Sequence, residues 1–276
     1  MRADVETARR TAPVAPTAAE AIRRCRDGGS LALVVYLVHG YPTTETSERA
    51  FDLLRHRGVP VVECAMPVAI ADGPPEPGDA IGRALRVAAT NGLRDADVLD
   101  YYATQRPNIL IDVADPSRDG DDLVRAGALR AVDAVISDDD VMLRRLTDGA
   151  DGAGGPAGSA PRAIPLLAAH ALTAEVARGV APDALVYLAV GDRTGGTMLP
   201  AHEIARAVAL LRQHAPDATV LCGFGVRTPD DVARLAAVEG VDGVAVGTEA
   251  LRRLDHGLDA LDAWLLEMQA AARVPA

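Results

Sequence analysis

Glu63 is the residue whose surroundings most invite chemistry. It lies in the run VPVVECAM, where strand alternation sends Val61, Glu63 and Ala65 to one side and Val62 and Cys64 to the other. If that side is an enclosed apolar interior, burial raises the carboxyl's pKa towards the range useful for acid–base work. The plain alternative is a strand-end glutamate paired with an arginine. Taken alone the residue favours that alternative, because structural ion pairs are common. Asp72 follows in the turn ADGP, where by itself it is an ordinary turn residue. Three glycine clusters come later: GDRTGGTM over 191–198, GFG over 223–225 and GT at 247–248. Each is weak on its own, glycine being common in loops. In succession they offer backbone N–H groups that can surround an anion.

What the chain lacks is as informative. All 28 of its basic residues are arginine, so there is no lysine for a Schiff-base aldolase, for covalent attachment of pyridoxal phosphate or for a Walker-type phosphate loop. Thirty-nine acidic residues bring the net charge to −11, which argues against a broad nucleic-acid footprint. Cys25, Cys64 and Cys222 are widely spaced, without a CxxC pair, so neither a disulfide framework nor a cysteine zinc site is expected. No metal ligand set is assigned. No apolar stretch is long enough to span a bilayer, and residues 1–25 lack the apolar core of a secretory signal. The expectation is a soluble, cytoplasmic protein.

The elements that must position these residues alternate along the chain. Apolar runs at Leu31–Val38, Val59–Ala65, Ile109–Val113, Val132–Ser137, Ile164–Ala168, Leu185–Val190, Thr219–Cys222 and Val241–Val246 read as strands covered on both faces. Helical patterns such as SERAFDLLRHRG, AHEIARAVALLRQHAP and DDVARLAAVEG lie between them. This alternation predicts an α/β fold: a single (β/α)8 TIM barrel over residues 18–276, with a flexible N-terminus at 1–17. An extra N-terminal helix at Ala18–Asp27 would plug the N-terminal end of the barrel, and Leu258–Arg273 would close the ring. Two stretches break the rhythm. Pro67–Pro77 follows strand two, where barrels carry active-site loops. Thr147–Pro161 reads as a tolerated insertion at the opposite end.

These segments resemble the tryptophan synthase α subunit family over nearly the whole chain. The carriers are YLVHGYP after strand one, VVECAMPVAIADGP at strand two, YLAV…DRTGG after strand six, GFGVRTPDDV after strand seven and VDGVAVGTEAL after strand eight. The family reads E-L-G-V-P-F-S-D-P-L-A-D-G-P at strand two. The resemblance implies retro-aldol cleavage of indole-3-glycerol phosphate to indole and glyceraldehyde 3-phosphate, with no cofactor. It implies Glu63 as the general acid–base and Asp72 as the hydrogen-bond partner of the indole N–H. Thr194 would help close a mobile loop, and Gly195, Gly225, Gly247 and Thr248 would hold the phosphate. Tyr36, Asp112, Tyr187 and Phe224 would contact the substrate.

The chain also departs from the family. From Glu63 to Asp72 it is two residues shorter, and Val68-Ala69 replaces F-S-D-P. Ala114 and Val141 stand where the family has an asparagine and a proline at its β-subunit interface. A β-like subunit is therefore a possible partner facing an altered interface, and a free-standing enzyme is preferred. Tyr36 replaces a phenylalanine, and Asp112 a tyrosine. Glu249, directly after Gly247-Thr248, opposes a phosphate at that helix start unless Arg193 or Arg227 compensates. Asp112 and Glu249 motivate one alternative, an enzyme on the same scaffold acting on a different, non-phosphorylated substrate. A second is a non-catalytic subunit regulating a pyridoxal-phosphate-dependent β-like partner. His39, His170 and the run Asp138–Asp140 are read as structural or solvated, and Trp264 and Met268 as packing residues.

Overall fold

The computed structural model describes residues 16–67, 79–112, 128–137, 162–191 and 196–274, with the backbone alone at 112, 128, 129 and 137. Strands β1 (Ala32–Leu37), β2 (Val61–Ala65), β3 (Asn108–Asp112), β4 (Ala134–Ser137), β5 (Arg162–Ala163), β6 (Leu166–Ala168), β7 (Leu185–Ala189), β8 (Thr219–Gly223) and β9 (Gly243–Val246) form one parallel sheet. Its order is β5-β4-β3-β2-β1-β9-β8-β7-β6. The two edges, β5 and β6, are separated in the chain only by Ile164-Pro165, so the covalent chain joins them. Ile164 N–H donates to Val135 C=O at 2.8 Å, and Pro165 C=O accepts from Tyr187 N–H at 3.0 Å. The sheet is thus curled into the barrel that the alternation predicts.

One predicted strand differs. Ile164–Ala168 was expected to be continuous, but Pro165 has no N–H to donate and a fixed φ. The segment pairs first with β4 and then, after the proline, with β7. The other predicted strands are found within two residues of their expected ends.

Strand parity sorts the side chains. Ala32 and Val34, Val61, Ile109, Ala134 and Ile136, Leu185 and Tyr187, Leu221 and Ala245 point into the barrel. Helix α1 (Ala18–Asp27) presents Ala18, Ala19, Ala21 and Ile22 to this same cluster, closing the N-terminal end as expected. Its start is set by a capping box between Thr17 and Glu20, with the Thr17 N–H donating to Glu20 at 2.9 Å.

The alternate strand residues face outward onto the helices: α2 (Thr44–His56), α3 (Ala80–Thr90), α4 (Asp95–Ala103), α5 (Ala128–Ala131), α6 (Ala174–Arg178), α7 (Ala201–His214), α8 (Pro229–Ala236), α9 (Thr248–Asp255) and α10 (Leu258–Ala271). Trp264 and Met268 of α10 are buried in this outer core, as read from their spacing. The last helix also ties the ring shut. Arg57, just beyond α2, reaches Asp262 of α10 through two bonds of 2.5 Å, and Leu31 N–H donates to Ala272 C=O at 2.8 Å. At the N-terminal end the fully buried Asn108 amide donates to Tyr102 and Ala131 carbonyls and accepts from Asp133 N–H. These bonds lock β3 to the segments before and after it. No helix among the described residues is long and apolar enough to cross a membrane.

Candidate active site

Glu63 occupies the inner face of β2, opposite Tyr36 of β1 and Ile109 of β3 in register. It is only 2% exposed. Burial pushes its carboxyl up from the ordinary 4.5 to about 8, because an ionised carboxylate would lose its hydration there. Among the described residues no arginine forms an ion pair with it. Its environment is that of an enclosed acid, protonated at neutral pH.

The aromatic residues around it come from three other strand ends. Tyr36 and Tyr187 are both 3% exposed. Burial and the nearby Glu63 charge hold each phenol well above its ordinary pKa, so both remain neutral. Tyr187 is buttressed by Phe224, their ring centroids 5.6 Å apart. Gly223 exists to admit Tyr187: a Cβ there would stand 2.0 Å from the Tyr187 hydroxyl oxygen. Leu166 lies opposite Tyr187 in register and is 45% exposed, while its neighbour Leu167 packs outward.

Phe224 has φ 65, the left-handed region that a non-glycine residue enters at a cost of about 1–2 kcal/mol. The strain places its ring beside Tyr187 while the following Gly225, at φ 81, lets the chain pass close to the preceding loop. A Cβ on Gly225 would stand 2.8 Å from Met198 N. The ends of β7 and β8 are joined there, with Val190 N–H donating to Gly223 C=O at 2.8 Å.

Helix α9 starts from Gly247 with no side chain capping its first turn. Its leading N–H groups, beside the buried Thr248, face the C-terminal end of β9 and can receive an anion. Glu249 does not stand there as an isolated charge. Arg253 donates to its carboxylate at 2.7 Å, and Arg252 lies 3.7 Å away. The compensating arginines sit one helical turn further along the same helix. Arg193 lies outside the described residues.

Several expected site residues cannot be placed. Asp72, Thr194, Gly195 and Asp138–Asp140 lie outside the described residues, as do the segment 147–161, Val68, Ala69, and Ala114 and Val141, the positions expected to match the family's interface. Asp112 ends β3 opposite Ser137, and its side chain is likewise outside them. His39 is structural. Its ring stacks on Tyr101 at 4.1 Å with Nε2 3.2 Å from Glu48 Oε1, and its backbone N–H donates to the Tyr102 hydroxyl, which donates in turn to Ala65 C=O. His170 is exposed in the short turn after β6. Ile111, packed against the inner cluster, was not anticipated, although strand parity from Glu63's neighbours would have found it. Among the described residues no three His, Cys, Asp or Glu side chains are grouped to hold a metal ion.

No family model matches the chain. Individual proteins do. The tryptophan synthase alpha chain of Rhizorhabdus wittichii is 34% identical over 255 residues, covering 87% of this chain and 89% of that protein. The tryptophan synthase alpha chain of Novosphingobium aromaticivorans is 32% identical over 248 residues, with 84% and 88% covered. Among solved structures, tryptophan synthase from M. tuberculosis superposes with a TM-score of 0.68 at 24% identity, covering 92% of this chain and 98% of that one. The Legionella pneumophila tryptophan synthase alpha chain gives 0.69 at 21% identity, covering 91% and 95%. At those identities the structural likeness speaks for the fold.

Proposed function

The chain belongs to the tryptophan synthase alpha-chain family, and from that premise we propose that it is a carbon–carbon lyase cleaving indole-3-glycerol phosphate to indole and glyceraldehyde 3-phosphate. The observation that carries this reading is Glu63, enclosed in the barrel and holding its proton to about pH 8.

The chemistry requires one proton to arrive and one to leave. Glu63 gives its proton to indole C3, which makes the ring nitrogen electron-deficient. The resulting carboxylate accepts the proton of the side-chain hydroxyl adjoining C3. As the C=O of the aldehyde forms, the C3–carbon bond breaks and its electron pair returns to the ring. Glu63 ends protonated, as it began, so the step needs neither oxidant nor reductant. Asp72 accepts the indole N–H and stabilises the charge that develops there. Tyr36, Tyr187, Phe224 and Asp112 contact the substrate, with Ile111 and Leu166 as apolar walls. Thr194 assists closure of its loop.

The phosphate rests on backbone groups at Gly195, Gly225, Gly247 and Thr248. The uncapped start of α9 supports this, and so does the clasp that Arg252 and Arg253 place on Glu249. No cofactor enters the reaction, and the enzyme acts in the cytoplasm without nucleic acid or membrane. It releases indole without a β subunit, because the interface positions Ala114 and Val141 depart from the family pattern.

The test is to incubate the purified protein alone with indole-3-glycerol phosphate and measure indole. Release that is abolished by Glu63→Gln supports the reading. Absence of indole at high enzyme concentration, both alone and with a β subunit added, refutes it.

A further inference from the structure

We propose that Tyr36 is a specificity-determining residue whose hydroxyl donates a hydrogen bond to an oxygen substituent on the aromatic ring of the substrate. The inference deepens the lyase reading and rests on its aromatic substrate. Among indole glycerol phosphates the site accordingly favours those that carry a hydroxyl or alkoxy group on the ring.

Tyr36 is 3% exposed, and its hydroxyl oxygen has no hydrogen-bond partner among the described residues. Buried polar groups are nearly always paired, so an orphan set opposite the enclosed Glu63 in register marks a place where a ligand atom completes the bond. Among the described residues nothing uses this hydroxyl. Removing it would leave each described contact of the ring intact.

Its place is also defined. Tyr36 stands opposite Glu63 of β2 in register, and its Cβ packs against Gly247, where an added Cβ would approach to 3.2 Å. The phenol is thereby set beside the enclosed acid, whose charge acts on it. A group meeting it there belongs to the aromatic end of the substrate rather than to the phosphate. The phenol is held in its neutral form by burial, so it is a donor over the whole working pH range.

A site equipped to hydrogen-bond a substituent discriminates against the molecule lacking it, since the buried donor is then left unpaired. One neutral bond of this kind is worth about tenfold in affinity. Binding of indole and of 4-, 5-, 6- and 7-hydroxyindole to the wild type and to Tyr36→Phe, followed by calorimetry, tests this without requiring turnover. The wild type is expected to bind at least one hydroxyindole about tenfold more tightly than indole. Tyr36→Phe is expected to lose that preference while binding indole at least as well and unfolding at the wild-type urea concentration.

An unchanged order of affinities in the variant would overturn the proposal, as would equal weakening of all the ligands. So would a wild type that binds no hydroxyindole better than indole. Indole release from indole-3-glycerol phosphate, assayed in parallel, reports on the lyase reading separately. A hydroxyindole preference that depends on Tyr36 in a protein without that activity would uphold the recognition role and sink the reaction.

Discussion

Replacing Glu63 by glutamine should make the protein more stable as it makes it inactive, and the gain should grow with pH. In the unfolded chain the carboxyl loses its proton near 4.5, whereas in the barrel it keeps it to about 8. Below 4.5 both states are protonated and the residue is neutral towards folding. Between the two values the native state binds the extra proton, so stability falls as pH rises, by about 1.4 kcal/mol per pH unit. From 4.5 to about 8 this amounts to about 5 kcal/mol at most, fully developed above pH 8. Water entering the barrel, or a shift of neighbouring dipoles, lowers the figure. Glutamine has nothing to titrate and nearly the same shape. Urea unfolding of wild type and Glu63→Gln at intervals from pH 4.5 to 8.5 isolates the effect, because every other titrating group cancels in the difference. The variant's advantage should widen by several kcal/mol across that range. A difference that stays flat, or narrows with pH, would refute the assignment of Glu63 as an enclosed, unpaired acid.

Because Glu63 must hold its proton to deliver it to C3, kcat/KM for indole release should fall about tenfold per pH unit above about pH 8; a profile still rising at pH 9 would exclude the role. Gly223→Ala forces the Tyr187 ring aside, since the new Cβ would lie 2.0 Å from its hydroxyl oxygen. A loss of about 1–3 kcal/mol in urea unfolding and a raised KM are expected. Asn108→Ala removes three side-chain bonds, two of them buried, and should cost about 3 kcal/mol at about 1 kcal/mol each, measured by the same unfolding assay. Glu249→Gln removes the one acidic charge in the first turn of α9 and should tighten phosphate-bearing substrate a fewfold at low salt, with the gain shrinking as salt is added.

Much of this was legible from residues 16–274 as a string. Whether an apolar run is a strand, and which of its residues share a face, depends on neighbours a few positions away. The eight runs, the parity that groups Val61 with Glu63, and the helix from Ala18 to Asp27 could therefore be read directly. The capping box at Thr17 and Glu20 is local in the same sense. Pro165 was visible too, but its consequence was not. Breaking the strand into halves that bond to β4 and β7 requires both neighbours to be in place, and they lie on opposite sides of the closing seam.

The chemistry of Glu63 is of this second kind. Its spacing is equally compatible with an ion-paired strand end and with an enclosed acid, and an arginine anywhere in the chain could decide between them. The pKa of a carboxyl depends on what fills the few ångströms around it, and those groups come from β1, β7 and the end of β8, tens to well over a hundred residues distant. The same holds for the orphan hydroxyl of Tyr36 and the fit of Tyr187 over Gly223. Local sequence determines which way a side chain points; the folded ring determines what it meets there, and burial and charge act through that meeting.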